Sequence, residues 1–456
     1  MTQLYKTNTK SPAAINRDQL FSGIWIRWQA LTLGERFVCA NIILIPLWWV
    51  VGIYDYMSML LLLSVAVYDW QKYREIRLKR PSLPVAALLA FGLYQAVSIL
   101  FIYSVPGRDT FSNVFILSIC PAIWLWYIQS NNVRIRLEPV AWACTVSVIQ
   151  MLVFWGVIAL LPEEVFLPRS LPTLYAILAN KRFEDTGFMN NNNPFYLLPY
   201  QMEGEIRRYN IFFVFPEYFA VVTGFMGLIA LDIKNRLWSS LLLFICVFFI
   251  FGLSGTRMVW IAFPLTVALR YVFSNFSKPL IPAIASALVA VVSFTTLSFP
   301  PVTNLIVDQF TQSTQAIGEV RANSTEARME IYRRTWQAIQ EDDDKLIWGH
   351  ATKGPTIDPD NQVAKIGSHS FILGNLIYIN GIVGTVIFAV FWFSLCAWFY
   401  QTRAGRPLCC ISLLVFYMLI APTLELVYGN ATSSLLILLA AAIRSPKVHR
   451  RLVSYA

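Results

Sequence analysis

The chain has 456 residues, of which 57% are hydrophobic and 14% charged, with a mean hydropathy of +0.55. An ordinary soluble domain carries roughly 25% charged residues, so this composition excludes a soluble enzyme and a disordered chain. The formal charge of +10 would point to nucleic acid in a soluble protein; here its meaning depends on where the charges lie relative to a membrane.

Crossing about 30 Å of hydrocarbon takes around 20 apolar residues, and such stretches recur along the chain. In order they run from Phe37 to Tyr54, Met57 to Trp70, Leu83 to Tyr103, Phe111 to Ile128, Val140 to Leu161 and Ile211 to Leu231. They continue from Leu237 to Leu253, Met258 to Phe273, Leu280 to Leu297, Ile372 to Tyr400, Leu408 to Val427 and Ala431 to Ile443. The prediction is an all-α, polytopic bundle of about twelve spans with both termini cytoplasmic. It divides into a cytoplasmic segment 1–36, nine spans over 37–298 with an outer loop at about 162–210, a large outer loop 299–368, three spans over 369–443 and a basic cytoplasmic tail 444–456.

Charge tests this arrangement. With the N-terminus inside, the inner segments hold 22 cations and six acids, and the outer face holds 14 cations and 20 acids. The inner charge is therefore +16 and the outer −6, so the basic excess records topology and no nucleic acid is needed to explain it. The first 36 residues are polar, which predicts no cleavable signal peptide. All seven cysteines fall within predicted spans without metal spacing, and read as small apolar packing residues.

The polar chemistry gathers on the outer side. Arg207 and Arg208 precede the sixth span, and Pro216-Glu217 sit one turn inside it. Pro216 can simply open the helix and Glu217 can simply pair with an arginine, yet a carboxylate at that depth is costly enough to be a functional candidate. Ser254-Gly255-Thr256-Arg257 forms a small-residue break between two spans. Arg257 reads either as a snorkelling interfacial cation or, with hydroxyls and free N–H groups beside it, as an anion seat at a helix start.

The large outer loop contains Asn323-Ser324-Thr325-Glu326, a helix start with Asn323 as N-cap. Met329, Tyr332, Trp336 and Ile339 follow as one apolar stripe, with Arg328, Arg333 and Arg334 off it. Such a helix lies on the membrane surface or caps the bundle. Asp342-Asp343-Asp344 includes an Asp-x-Asp but reads more simply as a solvated turn. His369 stands where this loop meets the tenth span; His350 lies in the loop and His449 in the tail. A lone loop histidine is usually structural, although it can exchange a proton near neutral pH. No Walker motif, nucleotide-binding glycine turn, zinc spacing or nucleophile elbow is present in the sequence.

The order and sidedness of these features resemble the bacterial O-antigen ligase and polysaccharide polymerase superfamily. The likeness runs from about Arg208 to Phe393: an arginine in a small-residue break (Ser254 to Arg257), then a large loop with an arginine opening an amphipathic helix (Arg328 onward to Trp336). A glycine turn follows at Gly349-His350-Ala351, and then a histidine starting the next span, Ser368-His369-Ser370. Two residues depart from the family pattern, which often has Asn after the histidine and Gly-x-Gly in the turn.

The resemblance implies a metal-independent, cofactor-free glycosyltransferase of the bacterial inner membrane, working at the periplasmic face. Its donor would be an undecaprenyl diphosphate-linked glycan and its acceptor a glycan or lipid A-core, with a flippase and a chain-length regulator as partners. Arg257, Arg328 and Arg208 would bind the diphosphate, His369 would deprotonate the acceptor hydroxyl, and Glu217, Ser254 and Thr256 would support them. The Phe215-Pro216-Glu217 segment resembles polymerases slightly more than ligases. The competing readings are a transporter of a small anion and a metal-dependent transferase using Asp342 and Asp344.

Overall fold

The computed structural model describes residues 20–53, 57–75, 78–102, 114–160, 173–178, 208–274, 322–358, 361–425 and 431–444. The ninth predicted span, Leu280 to Leu297, lies outside the described residues, as do most of loop 162–210, the first part of loop 299–368 and His449. What is described is mostly helical, with two short antiparallel hairpins.

Helix α1 (Leu33–Ile43) starts at a capping box in which Thr32 and Glu35 each accept the other's backbone N–H. Helix α2 (Ile45–Val51) follows with Pro46 in its first turn, and the two axes bend by 59°. The first predicted span is therefore broken, since proline cannot supply the N–H that would continue α1. Helix α3 (Met57–Tyr73) comes next, then α4 (Leu83–Val97), extended by a π-helical turn Ser98–Ile102. Helix α5 (Phe115–Ser130) opens with such a turn, and α6 (Leu137–Leu160) is the longest uninterrupted helix among those described.

Helix α7 (Pro216–Ala230) is buried from Phe219 to Ala230 on every side. A helix that is apolar all round belongs at the centre of a bundle, and α6 and the helices Arg236–Phe248, Arg257–Ser274, Leu408–Ile420 and Ala431–Ala442 pack around it. Of these, α8 (Arg236–Phe248) ends in a π-helical turn Phe249–Leu253, and α9 runs over Arg257–Ser274. The loop helices are α10 (Ala322–Gln340) and α11 (Asp343–Trp348), followed by a hairpin of β1 (Thr356–Asp358) and β2 (Asn361–Lys365). Helix α12 (Phe371–Gln401) begins with a π-helical stretch, and α13 (Leu408–Ile420) and α14 (Ala431–Ala442) complete the bundle.

Among the described residues four helices are long and apolar enough to cross a membrane: α4, α6, α8 with its π turn, and α12. The bent pair α1–α2 makes a fifth, and α5, α7, α13 and α14 contain shorter apolar helices. Two predicted boundaries need correction. The sixth span does not begin at Ile211, because residues 211–215 form a turn in which Ile211 has a φ of +51° and Asn210 Nδ2 donates to the Val214 carbonyl at 3.1 Å. Helix α13 stops at Ile420 rather than continuing to Val427, because Pro422 follows and the Ala421 carbonyl accepts the Phe371 N–H at 3.0 Å. All seven cysteines are free and six are buried, as packing residues would be.

Groups assigned to the inner face by charge do meet one another. Arg136 pairs with the buried Glu35 and Arg270 with Asp232, each at 2.6 Å. Arg406 is buried and donates from Nη1 to the carbonyls of Ala440 and Ala441, closing the C-terminus of α14.

At the opposite end the loop is clamped to α12 through backbone. The N–H groups of His350 and Ala351 donate to the carbonyls of Tyr378 and Ile379 at 2.8 and 2.9 Å. The Tyr94 hydroxyl bridges the Trp348 and Asn380 carbonyls at 2.7 and 3.0 Å. Gly349 and Gly381 touch back to back with φ values of +82° and +62°, and a Cβ on Gly381 would lie 2.4 Å from the Gly349 nitrogen. Left-handed backbone costs a non-glycine residue about 1–3 kcal/mol, and the clash adds to that. Gly381→Ala should undock the turn after α11, read as faster limited proteolysis between residues 341 and 366 with unchanged helical content. Cleavage at the parent rate would contradict the clamp.

Candidate functional site

The site forms where helices stop. The π turn that ends α8 brings Ser254 to a reversal completed by Gly255, whose φ is +59°. The Ser254 hydroxyl donates to the Ile250 carbonyl at 2.7 Å and accepts the Thr256 N–H at 3.2 Å. The Ser254 N–H itself donates to the Phe249 carbonyl at 3.0 Å. The donors that the sequence suggested were free for an anion are thus partly used to build the turn. Arg257 is the next residue and opens α9.

Arg208 fills the hollow of this turn and is 6% exposed. Its Nε donates to the Ser254 carbonyl at 3.0 Å, and its Nη2 donates to Glu217 Oε1 at 2.6 Å and to Thr256 Oγ1 at 3.2 Å. The adjacent Tyr209 N–H donates to the Leu253 carbonyl at 2.9 Å. Pro216 opens α7 and Glu217 pairs with an arginine, both as the simpler sequence reading had it. Arg208 is consequently a brace that joins the break before α9 to the start of α7.

Helix α10 supplies the facing wall, rotated from the predicted stripe. Ile331, Thr335 and Ile339 are buried, whereas Met329 and Trp336 are 64% and 50% exposed. The reason is a hydrogen bond that apolarity could not forecast: Thr335 Oγ1 accepts the Gly367 N–H at 2.8 Å, which seats the loop backbone on that side. The helix also includes Ala322, so Asn323 is not the residue preceding it; the side chains of 322–327 lie outside those described. With this rotation Arg328 is half-buried, within electrostatic range of His369, Tyr332 and Glu217. Among the described residues Arg328 has no ion pair, whereas Arg333 and Arg334 share Glu330.

His369 adopts a φ of +65°, an unusual conformation for a residue with a Cβ. Both of its backbone groups are held: its N–H donates to Glu425 Oε1 at 2.6 Å, and its carbonyl accepts the Tyr332 hydroxyl at 3.1 Å. Its Nδ1 lies 2.7 Å from the Ser368 hydroxyl, which also accepts the Lys365 N–H at 3.2 Å. Glu425 Oε2 pairs with Lys353 at 2.6 Å. Burial, and then the Arg328 guanidinium, push the imidazole down to about 4, against a smaller upward pull from Glu425 and Glu217.

The sequence-predicted residues therefore form two groups on one site: Arg208, Glu217, Ser254, Thr256 and Arg257 at the start of α7 and α9, and Arg328 and His369 on the loop side. Two other candidates have structural partners. Asp342 caps α11, accepting the N–H groups of Asp344 and Lys345, and His350 is stacked on Tyr378 with ring centroids 3.9 Å apart. Tyr332, Lys353 and Glu425 were not recognised as site residues from the sequence. Glu425 carried a signal, since it falls inside the predicted eleventh span and so shares the mark that singled out Glu217.

Residues 241–389 match the O-antigen ligase family. A search of curated proteins finds no match to the chain. The O-antigen ligase match bears out the superfamily resemblance, and it contains the Ser254 to Arg257 break, Arg328 and His369. Arg208 and Glu425 lie outside the matched O-antigen ligase region but contact it directly, and Glu217 is joined to it through Arg208.

The Arg208–Glu217 pair gives a stability test. Removing one partner of a buried pair costs about 3–5 kcal/mol because the other charge is stranded. Arg208→Ala should lower the thermal unfolding midpoint of the detergent-purified protein substantially, and adding Glu217→Gln should recover part of the loss. A double variant no better than Arg208→Ala would show that the turn contacts of Arg208, rather than the pair, carry its contribution.

Proposed function

We propose that this chain is a membrane glycosyltransferase of the O-antigen ligase and polymerase type. It would take a glycan from an undecaprenyl diphosphate-linked donor and pass it to an acceptor sugar hydroxyl at the periplasmic face of the bacterial inner membrane. The twelve-span topology with cytoplasmic termini belongs to this reading, because it puts the break at Ser254 to Arg257 and both long loops on the outer side. The observation that carries the proposal is the convergence of Arg328 and His369 with the Arg208–Glu217 brace beside Arg257.

In this mechanism Arg257 and Arg328 bind the diphosphate. The acceptor hydroxyl loses its proton to His369 as its oxygen attacks the anomeric carbon, and the bond from that carbon to the diphosphate oxygen breaks. The leaving lipid diphosphate keeps the electron pair, and the two guanidinium groups stabilise the charge it gains. Planar guanidinium suits this task because it meets two phosphate oxygens at once. Arg208, whose donors engage Ser254, Thr256 and Glu217, acts by positioning the Arg257 turn. When Nδ1–H is donated to Ser368, the Nε2 lone pair is left to accept the proton. The slight likeness of Phe215-Pro216-Glu217 to polymerases makes extension of a lipid-linked glycan the preferred outcome. Asp342 is engaged as a helix cap, which favours a reaction that does not recruit it for a metal.

Arg257→Ala and Arg328→Ala should each lower transfer by roughly 10²–10³-fold, and His369→Ala by roughly 10²–10⁴-fold, at unchanged membrane abundance. The measurement is complementation of surface polysaccharide together with glycan transfer by purified protein in EDTA. Retained polymer in all three variants would dispose of the site, and dependence on added Mg²⁺ or Mn²⁺ would restore the metal reading. Uptake of a small anion by proteoliposomes lacking lipid-linked sugar would favour a transporter.

The buried imidazole also fixes a pH dependence. A base must be neutral to accept a proton, and one whose value lies near 4 stays neutral until the pH falls towards 4. The acid limb of kcat/KM, which reports the free enzyme, should therefore lie well below that of an ordinary histidine near 6.5. An acid limb at 6.5 or higher would count against His369 as the base.

A further inference from the structure

On the face assigned to the cytoplasm, the corner between α12 and α13 meets the C-terminus of α14. Arg406 is buried in that corner. Its Nε donates to Thr402 Oγ1 at 2.7 Å, and its Nη1 to the Ala440 and Ala441 carbonyls at 2.8 and 3.0 Å. Its Nη2 is closed to solvent and donates to nothing among the described residues. The Cys410 thiol adjoins the guanidinium but gives Nη2 no hydrogen bond. Buried polar groups are nearly always hydrogen-bonded, and one that is not calls for a bound water or ion.

A second guanidinium is drawn against the first. Arg444 Nη1 donates to the same Ala441 carbonyl at 3.1 Å, and both guanidinium carbons face the Trp398 ring, Arg406 at 4.4 Å and Arg444 at 5.4 Å from its centre. Backbone pairing brings up a third. The Ile135 N–H donates to the Ala442 carbonyl at 3.0 Å and the Arg444 N–H to the Ile135 carbonyl at 2.9 Å, which sets Arg134 within electrostatic range of Arg444. Burial deepens from Arg134, which is exposed, through Arg444 to Arg406. Burial, and then Arg444, push the Arg406 guanidinium down to about 9. Among the described residues none of the three has an ion pair: Glu35 and Asp232, acids of the same face, are taken by Arg136 and Arg270. The C-terminus of α14 supplies only about half a negative charge, which falls short of the guanidinium groups gathered on it.

We propose that Arg134, Arg444 and Arg406 form a site for one phosphate group, with Arg406 Nη2 at its inner end and Arg134 at its rim. Planar guanidinium meets two phosphate oxygens at once, and a phosphate has acceptors enough for all three. The bound group would fasten the end of α14 to the α12–α13 corner. An anionic phospholipid headgroup and inorganic phosphate share this chemistry. The inference does not rest on the proposed transfer reaction.

The test uses the full-length protein, delipidated in detergent, in two arms. The first offers equal amounts of phosphatidylglycerol and phosphatidylcholine and reads bound lipid by native mass spectrometry. The second compares the thermal unfolding midpoint in inorganic phosphate and in chloride at equal ionic strength, since a ligand of the folded state raises it. One phosphatidylglycerol should be retained, favoured roughly tenfold, the size of a charge-assisted hydrogen bond. Arg134→Gln, at an exposed position that the fold tolerates, and Arg444→Gln should each erase that preference. Arg403→Gln, which removes a guanidinium stacked on Tyr400 in the same corner, should keep it. A rise in the midpoint with phosphate alone, lost in Arg134→Gln and Arg444→Gln, would identify the free ion as the carrier. Equal retention of the two lipids with no response to phosphate, a response that survives both Arg134→Gln and Arg444→Gln, or one lost equally in Arg403→Gln would each overturn the proposal.

Discussion

A chain that crosses hydrocarbon must satisfy each backbone polar group within protein, because no water is there to do it. In this molecule the consequence is visible wherever a helix stops early. The turn before α7 donates Tyr209 N–H to the Leu253 carbonyl at the end of α8, and Phe371 at the start of α12 donates to the Ala421 carbonyl at the end of α13. The break at Gly381 is met by the backbone of Gly349 and the carbonyl-bridging Tyr94 hydroxyl. The interruptions complete each other in pairs. Polar side chains collect around those pairs because that is where the apolar packing is interrupted.

Arg208 carries this logic furthest. A guanidinium has enough donors, in a fixed plane, to serve a carbonyl, a hydroxyl and a carboxylate together. Here it serves Ser254, Thr256 and Glu217 from a position closed to solvent. Rigidity at the start of α9 therefore comes from a charged residue contributed by a distant part of the sequence. A diphosphate arriving at Arg257 would meet a turn already ordered, with less conformational entropy to lose on binding.

Much of this was legible in the sequence, and what was not has identifiable causes. Hydropathy located the spans that the structure describes, since long apolar runs have few alternatives in water or lipid. The charge bias likewise grouped Glu35 with Arg136 and Asp232 with Arg270 on one face, where they are paired. The Ser254 to Arg257 break was visible as polar groups between two apolar spans, whereas Arg328 and His369 lie in a polar loop and gained their candidate roles only from the family resemblance. The start of the sixth span was misread because Ile211 to Phe215 is apolar yet non-helical, and apolarity reports burial rather than backbone conformation. The inner face of α10 was misread because Thr335 is buried through a hydrogen bond to Gly367. Glu425 escaped notice because its partner, the His369 N–H, is 56 positions away in the chain and belongs to the backbone, which leaves no mark in a side-chain pattern.

The charges on α10 are unequally compensated. Arg333 and Arg334 converge on the single carboxylate of Glu330 on the exposed side of the helix, so much of their charge is answered locally. Arg328 lies about one and a half turns earlier, half-buried near an imidazole held neutral by burial. The helix thus sorts three like residues by rotation about its axis, screening two and directing the field of the third inward. Thr335 follows Arg328 by about two helical turns on the same face, so rolling α10 would carry the guanidinium away from His369, which makes the Thr335 contact with Gly367 a register mark for the electrostatics beside the imidazole.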